Sequence, residues 1–180
     1  MEIHKDLEKI SYSEEFIQQR VTELGLALAA EYADKNPIMI GILKGAFVFF
    51  ADLMRACKFQ LEVQFLKASS YGASTVTSGR VNIADLIDID LTGRHIIIVE
   101  DIIDTGVTMA HLRTLLMERN PASIKFCAFL DKIERRTADI SVDYAGVVTE
   151  DAFFVGYGLD FAERYRNLPY IGVLKREMYE

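Results

Sequence analysis

The sequence predicts an α/β protein: a parallel β-sheet core flanked by helices. Three observations predict it. Short unbroken runs of apolar, mostly β-branched residues occur at Ile38–Leu43 and at Ile96-Ile97-Ile98-Val99. Such runs mark strands buried on both faces, not the alternating strands of a half-solvated sheet. Between the runs lie segments whose apolar residues recur every three to four positions, and strands alternating with helices give a parallel sheet covered on both sides. Finally, the second run ends in a carboxylate-rich stretch, Glu100-Asp101-Ile102-Ile103-Asp104-Thr105-Gly106-Val107-Thr108, followed by Met109, Leu112, Leu115 and Leu116 at helical spacing. A buried strand that runs through an acidic loop into a helix is the junction at which open α/β sheets bind ligands.

The elements follow in order. Ser11-Tyr12-Ser13-Glu14 has the form of a capping box. Phe16, Ile17, Val21, Leu24, Leu28 and Ala29 then trace one face of a helix reaching about Ala33. Asn36-Pro37 breaks it, and Ile38–Leu43 is the first buried strand. Lys44-Gly45 makes a tight loop before a helix over 46–56. A strand is predicted over 61–68. Residues 69–78, rich in Ser, Thr and Gly, read as a mobile loop with a returning strand at 80–83. The acidic junction comes next, and its helix stops at Asn120-Pro121. Further strands are predicted at 123–130 and 142–148, with short strand-like segments at 153–159 and 170–174. The first and last segments do not fit the alternation.

Composition bounds the function. The 180 residues suit one domain, and 51% hydrophobic content suffices for a sizeable core. The net charge of −7 disfavours a general nucleic-acid binder, which needs a basic stripe. It suits a soluble cytosolic enzyme that holds an anionic substrate with a few placed groups. Cys57 and Cys127 lie far apart in apolar surroundings, and no Cys/His cluster suggests zinc. His4, His95 and His111 show no metal spacing. No signal peptide is evident at the N-terminus. The longest apolar stretch, residues 45–54, is interrupted by Asp52 and too short to span a membrane.

The acidic junction carries the chemistry. Three carboxylates within five positions repel one another unless a metal or ligand keeps them there. Glu100 and Asp101 suit sugar hydroxyls or a divalent cation, Asp104 is free for proton transfer, and the helix N-terminus suits a phosphate. Asp104-Thr105-Gly106 is also the aspartic protease triplet, but that enzyme needs two triplets or an all-β dimer, and here a helix follows. A Walker A loop is absent, and Gly156-Tyr157-Gly158 lacks the third glycine of a dinucleotide fingerprint.

Val99-Glu100-Asp101-Ile102-Ile103-Asp104-Thr105-Gly106 resembles the phosphoribosyl-pyrophosphate signature of the type I phosphoribosyltransferases, in the form found among purine-salvage members. The resemblance runs from about Ile40 to Leu174. It implies one domain over residues 1–180, with a core at about 36–150 and a small hood built from the N-terminal segment and about 151–180. It implies transfer of the 5-phosphoribosyl group from phosphoribosyl pyrophosphate, with Mg²⁺, to N9 of hypoxanthine or guanine, giving IMP or GMP and pyrophosphate. Asp104 would be the general base. Glu100 and Asp101 would hold the ribose hydroxyls and Mg²⁺. Asp104, Thr105, Gly106, Val107 and Thr108 would cradle the 5′-phosphate. Lys44, Gly45 and Arg166 would take pyrophosphate, with the Leu43–Lys44 peptide often cis in the family. Lys132 would donate to the exocyclic oxygen of a 6-oxopurine, and Phe153 would stack on the base. Phe154, where the family more often has an aliphatic residue, would tighten the pocket, and Ala152 is a second departure. Asp160 would be a further metal ligand beside the purine. Ser70 and Tyr71 would open a lid. Arg135 and Arg136 read as solvated surface charges. The family forms dimers and tetramers, so a homodimer or homotetramer is expected, with Phe47, Phe49 and Phe50 as either interface or core. The alternatives are a xanthine-preferring or pyrimidine phosphoribosyltransferase, or a regulatory protein of the same fold without catalysis. The acidic charge and the presence of Asp104 argue against the last.

Overall fold

A computed structural model describes residues 4–67 and 89–179. The expected mobile loop at 69–78, the strand at 80–83 and the lid residues Ser70 and Tyr71 lie outside them. Two sheets organise the chain. The larger is parallel and five-stranded, in the order β3-β2-β4-β5-β6 (Glu62–Lys67, Ile38–Leu43, His95–Ile103, Ser123–Asp131, Tyr144–Val148). Helix α1 (Glu14–Tyr32) and helix α2 (Phe47–Ala56) cover one face, and α3 (Val107–Met117) covers the other. The smaller sheet is antiparallel, in the order β1-β8-β7 (Leu7–Tyr12, Ile171–Leu174, Phe154–Val155). The parallel core and the small antiparallel hood are the architecture that the sequence resemblance implied.

Period-two alternation along β4 builds two cores. Ile96 and Ile98 join Ile38, Ile40, Met109, Leu112 and Leu116 on the α3 side, while Ile97 and Val99 join Met39, Leu28, Phe49 and Phe50 on the α1/α2 side. All four β4 residues are sealed from water, and each such side chain contributes about 1.5–3 kcal/mol of hydrophobic stabilisation. Both faces are covered, so the strand has no polar alternation to display.

Three expectations change. Ser11 does not cap α1. It lies in β1, and the N-cap is Ser13, whose hydroxyl accepts from Phe16 N at 3.3 Å. The predicted strand over 153–159 shrinks to Phe154–Val155, because Gly156, Tyr157 and Gly158 all take positive φ (+99°, +51°, +100°) and turn the chain. The carboxylates Glu100 and Asp101 belong to β4 itself, not to a loop: Glu100 is paired with Ala128, and the ladder continues to Ile103 opposite Asp131.

The hood meets the carboxyl ends of the sheet strands through an aromatic chain. Phe129 of β5 packs edge-on against Phe49 of α2 (centroids 5.4 Å, 65°) and against Tyr157 of the hood turn (5.4 Å, 63°). Tyr157 also donates its buried hydroxyl to Asp52 at 2.8 Å. Edge-to-face pairs add to the area they bury, so the hood is fixed to the core where the strands end. Of the three phenylalanines open to either reading, Phe49 and Phe50 are core and Phe47 is exposed.

Candidate active site

The strand ends converge on two adjoining clefts. One, of about 180 Å³, is lined by Ile42, Glu100 and the segment Ile102 to Gly106, with Thr108 and Met109. The other, of about 350 Å³, is lined by Asp101, Ile102, Asp104, Lys132, Arg135, Ala152, Phe153, Phe154, Leu159 and Asp160. Glu100 and Asp101 face different clefts because successive strand residues point to opposite faces. Asp104 serves both.

The loop after β4 is held from behind. Ile103 O accepts from Lys132 N at 3.0 Å, Asp104 O from Arg136 Nε at 2.9 Å, and Thr105 O from Thr137 N and Ala138 N at 3.0 and 3.1 Å. A trans peptide places C=O and N–H on opposite sides. With these carbonyls turned toward residues 132–138, the following amides face the other way. Gly106 caps α3 with φ +78°, and a Cβ there would sit 2.7 Å from Arg136 Cδ and from Ile140 Cγ2. The first amides of α3 have no partner within the helix, and they carry the positive end of its dipole. Arg136 is therefore no surface charge. It pairs with the buried Asp131 and donates to Asp104 O and Ile140 O. Arg135 is solvent-exposed, as expected, but its side chain also has ion-pair partners. It enters the larger cleft, with Nε 3.1 Å from Asp104 Oδ1 and NH1 3.4 Å from Asp151 Oδ1.

The carboxylates stand in poor solvation. Burial first, and then the charge of Asp101, hold the Glu100 carboxyl well above the usual range, and Glu100 Oε2 has no hydrogen-bond partner. Burial also raises Asp101, although its Oδ1 accepts from Ile102 N at 2.8 Å. Asp104 Oδ1 is buried without a hydrogen bond, because the neighbouring Arg135 N–H is not aimed at it. These are acceptors waiting for donors.

Lys44, Gly45 and Arg166 come together with the glycine turn of the hood. The Leu43–Lys44 peptide is cis. A Cβ on Gly45 would lie 1.9 Å from Asp101 Oδ2, and one on Gly158 would lie 2.3 Å from Gly45 O. The β4 carboxylate, the β2 loop and the hood turn thus meet with no room for a side chain, which explains why glycine stands at both positions. Arg166 donates to Gly158 O at 2.8 Å and pairs with Asp160 Oδ1 at 2.8 Å. Asp160 Oδ2 accepts from Glu163 N, so both its oxygens are engaged. Among the described residues, no three His, Cys, Asp or Glu side chains cluster as a metal site.

On the far wall, Lys132 is 7% exposed. Its Nζ donates to Ala152 O at 2.8 Å and to Asp151 Oδ1 at 3.1 Å, and sits 5.7 Å from the centre of the Phe154 ring. Phe153 is 36% exposed and is stacked on Tyr179 (4.8 Å, 22°). Phe154 is buried and packs toward Tyr12 at 6.1 Å, so it reaches the cleft from the core. Arg135, Arg136, Asp151 and Glu163 were not legible as site residues. Their types and spacing are those of any solvated loop: the turn after Lys132 places Arg135 and Arg136, the chain after β6 places Asp151, and the hood turn places Glu163.

The chain belongs to the phosphoribosyl transferase domain family, whose model matches residues 12–162. It is 53% identical over 175 residues to the hypoxanthine-guanine phosphoribosyltransferase of Bacillus subtilis, covering 97% of each chain. It is 46% identical to the bifunctional protein TilS/HprT of Listeria innocua, of which it spans 27%. A crystal structure of a hypoxanthine phosphoribosyltransferase from Staphylococcus aureus superposes with a TM-score of 0.89 at 42% identity, covering 98% of this chain and 96% of that one.

Proposed function

We propose that this protein is a purine-salvage enzyme that transfers the 5-phosphoribosyl group from phosphoribosyl pyrophosphate to N9 of hypoxanthine or guanine. One observation carries the residue assignment: Asp104, Lys132 and Phe153 share a single cleft, and Asp104 also reaches the cleft formed by the α3 N-terminus. A base, a polar reader and an aromatic wall thus face the place where a phosphorylated sugar would end.

In this reading the amides and hydroxyls of Thr105 to Thr108 hold the 5′-phosphate, where the helix dipole favours an anion. Glu100 and Asp101 take the ribose hydroxyls. Purine N9 attacks the anomeric carbon, and the bond to the pyrophosphate oxygen breaks with its electron pair staying on that oxygen. The proton leaving the imidazole ring passes to Asp104, whose Oδ1 lacks a hydrogen bond. Lys44 and Arg166 neutralise charge on the leaving pyrophosphate, and the amide of Gly45 adds a donor at close range. Lys132 donates to the exocyclic oxygen of a 6-oxopurine. Adenine carries a donor there, and a site built around that bond rejects it. The purine lies on the Phe153 ring opposite Tyr179, with Phe154 as floor. Ser70 and Tyr71 remain the proposed lid.

Glu100 and Asp101 would hold Mg²⁺ together with the substrate's own oxygens. Glu100 presents an orphaned, shielded oxygen beside Asp101, and magnesium usually takes one or two carboxylates plus substrate phosphates. Asp160 would join only after yielding its arginine. Bound there, the ion would neutralise charge on the diphosphate. A cytoplasmic place fits the two free, buried thiols, and among the described residues no helix is long and apolar enough to cross a membrane. Assembly as a homodimer or homotetramer is supported by Phe47, 45% exposed beside the active-site loop.

The test offers guanine, hypoxanthine, xanthine, adenine and uracil in parallel, with Mg²⁺ and phosphoribosyl pyrophosphate. GMP and IMP without AMP or UMP are expected. A dominant xanthine or uracil product would move the subclass, and no product from any base would remove the enzymatic reading.

A further inference from the structure

Lys44 and Arg166 lie far apart in the chain, and one carboxylate stands between them. Glu163 Oε1 lies 2.9 Å from Lys44 Nζ, and Glu163 Oε2 lies 3.3 Å from Arg166 NH2. Each oxygen serves a different cation. The turn that carries Glu163 is fixed by its backbone: Glu163 N donates to Asp160 Oδ2 at 2.9 Å, and Phe161 and Arg164 exchange backbone hydrogen bonds at 3.3 and 3.0 Å. The side chain itself is 64% exposed, so its ion pairs, not burial, decide where it sits. The hydrogen bond from Lys44 is the main reason its carboxyl lies below the usual range, so it is an anion at neutral pH. To a lysine and an arginine, a two-oxygen carboxylate and a phosphate offer the same recognition.

We propose that Glu163 is an internal stand-in for pyrophosphate, a positioning residue that bridges Lys44 and Arg166 and must leave when the diphosphate binds. The inference rests on the assignment of Lys44 and Arg166 to pyrophosphate. The bridge keeps two long cations gathered at one point, and it competes with the ligand for them. It therefore weakens diphosphate binding and assists its departure. Exposed ion pairs are individually weak, so the expected effect is roughly two- to fivefold.

The experiment is calorimetric titration of inorganic pyrophosphate, with Mg²⁺ present, into the parent enzyme and the variants Glu163→Gln, Glu163→Ala and Lys44→Gln. Both Glu163 variants should bind more tightly than the parent and show a lower KM for phosphoribosyl pyrophosphate, while Lys44→Gln binds more weakly. In Lys44→Gln/Glu163→Gln the gain should shrink, because one bridged cation is gone. A merely structural glutamate would weaken binding and lower Tm when replaced. Unchanged or weaker binding in both Glu163 variants, with Lys44→Gln still impaired, overturns the stand-in alone. Undiminished binding in Lys44→Gln overturns the pyrophosphate assignment beneath it.

Discussion

In the proposed reaction Asp104 and Lys132 make separable contributions, because the one would meet the reacting proton and the other an oxygen remote from it. Asp104→Asn keeps the shape and removes the base. The expected fall in kcat is ~10²–10⁴-fold, with phosphoribosyl-pyrophosphate affinity largely kept; stopped-time assays and a direct binding titration check both halves, and near-normal turnover would end the assignment. Lys132→Gln replaces a committed donor by an amide that also accepts. Because Lys132 is already anchored to Asp151 and Ala152 O, the glutamine should keep the wall in place while eroding discrimination. The ratio of kcat/KM for guanine over adenine should fall at least tenfold, and an unchanged ratio would put the readout elsewhere. Sequence reasoning reached both residues through motif resemblance. It did not reach Arg135 or Asp151, whose meaning comes from contacts across the cleft.

The loop between β4 and α3 depends on an element distant in the chain. Its carbonyls are gathered by the stretch after β5, with Arg136 as the principal clamp. Arg136→Ala would strip the donor from Asp104 O and leave Asp131, which is 5% exposed, buried without its cation. Breaking such a pair from one side costs about 3–5 kcal/mol. Thermal denaturation should show a large fall in Tm, and surviving protein should show a raised KM for phosphoribosyl pyrophosphate because the phosphate loop is no longer held. Arg136→Lys should restore little, since the guanidinium reaches its acceptors from three separate nitrogens and an ammonium has only one. A Tm within a degree of the parent would mean that the loop holds its own shape. The same contrast explains the boundary errors at this scale. Apolar periodicity marks where elements lie, but the extension of β4 through Glu100 to Ile103 needs the partner strand β5, and the turn at Gly156 to Gly158 overrides an aromatic pattern that reads as strand.

Across the whole molecule, the site is maintained against the stability of the fold. Glu100 lies toward the end of the central strand, where burial and then the charge of Asp101 hold its carboxyl well above the usual range. An acid whose folded pKa is raised costs nothing below its unfolded value near 4.5. Its destabilisation grows as pH rises through 4.5 toward the folded value, and is full above that. Glu100→Gln should therefore be more stable than the parent at pH 7, with the advantage fading as pH falls toward 4.5. At roughly 2–4 °C per kcal/mol for a chain of this size, a gain of a few degrees in Tm is expected, together with loss of phosphoribosyl-pyrophosphate affinity. Equal Tm values across that range would show that the carboxylate is better solvated than its surroundings indicate.

The sequence by itself determined the α/β class, the order of the described strands and helices between Ile38 and Val148, and the run of carboxylates that ends in a Thr-Gly turn. These follow from local pattern, because a buried strand must be continuously apolar and a helix must repeat every three to four residues. Tertiary structure alone decided which carboxylate faces which cleft, that Gly45, Asp101 and Gly158 meet without space for a Cβ, and that Arg136 is a clamp while Glu163 sits between two cations. The physical reason is separation along the chain. Hydrophobic pattern encodes which face of an element is buried, whereas a charge takes its meaning from the partner that folding sets beside it. Lys44 and Glu163 are far apart in sequence and 2.9 Å apart in space.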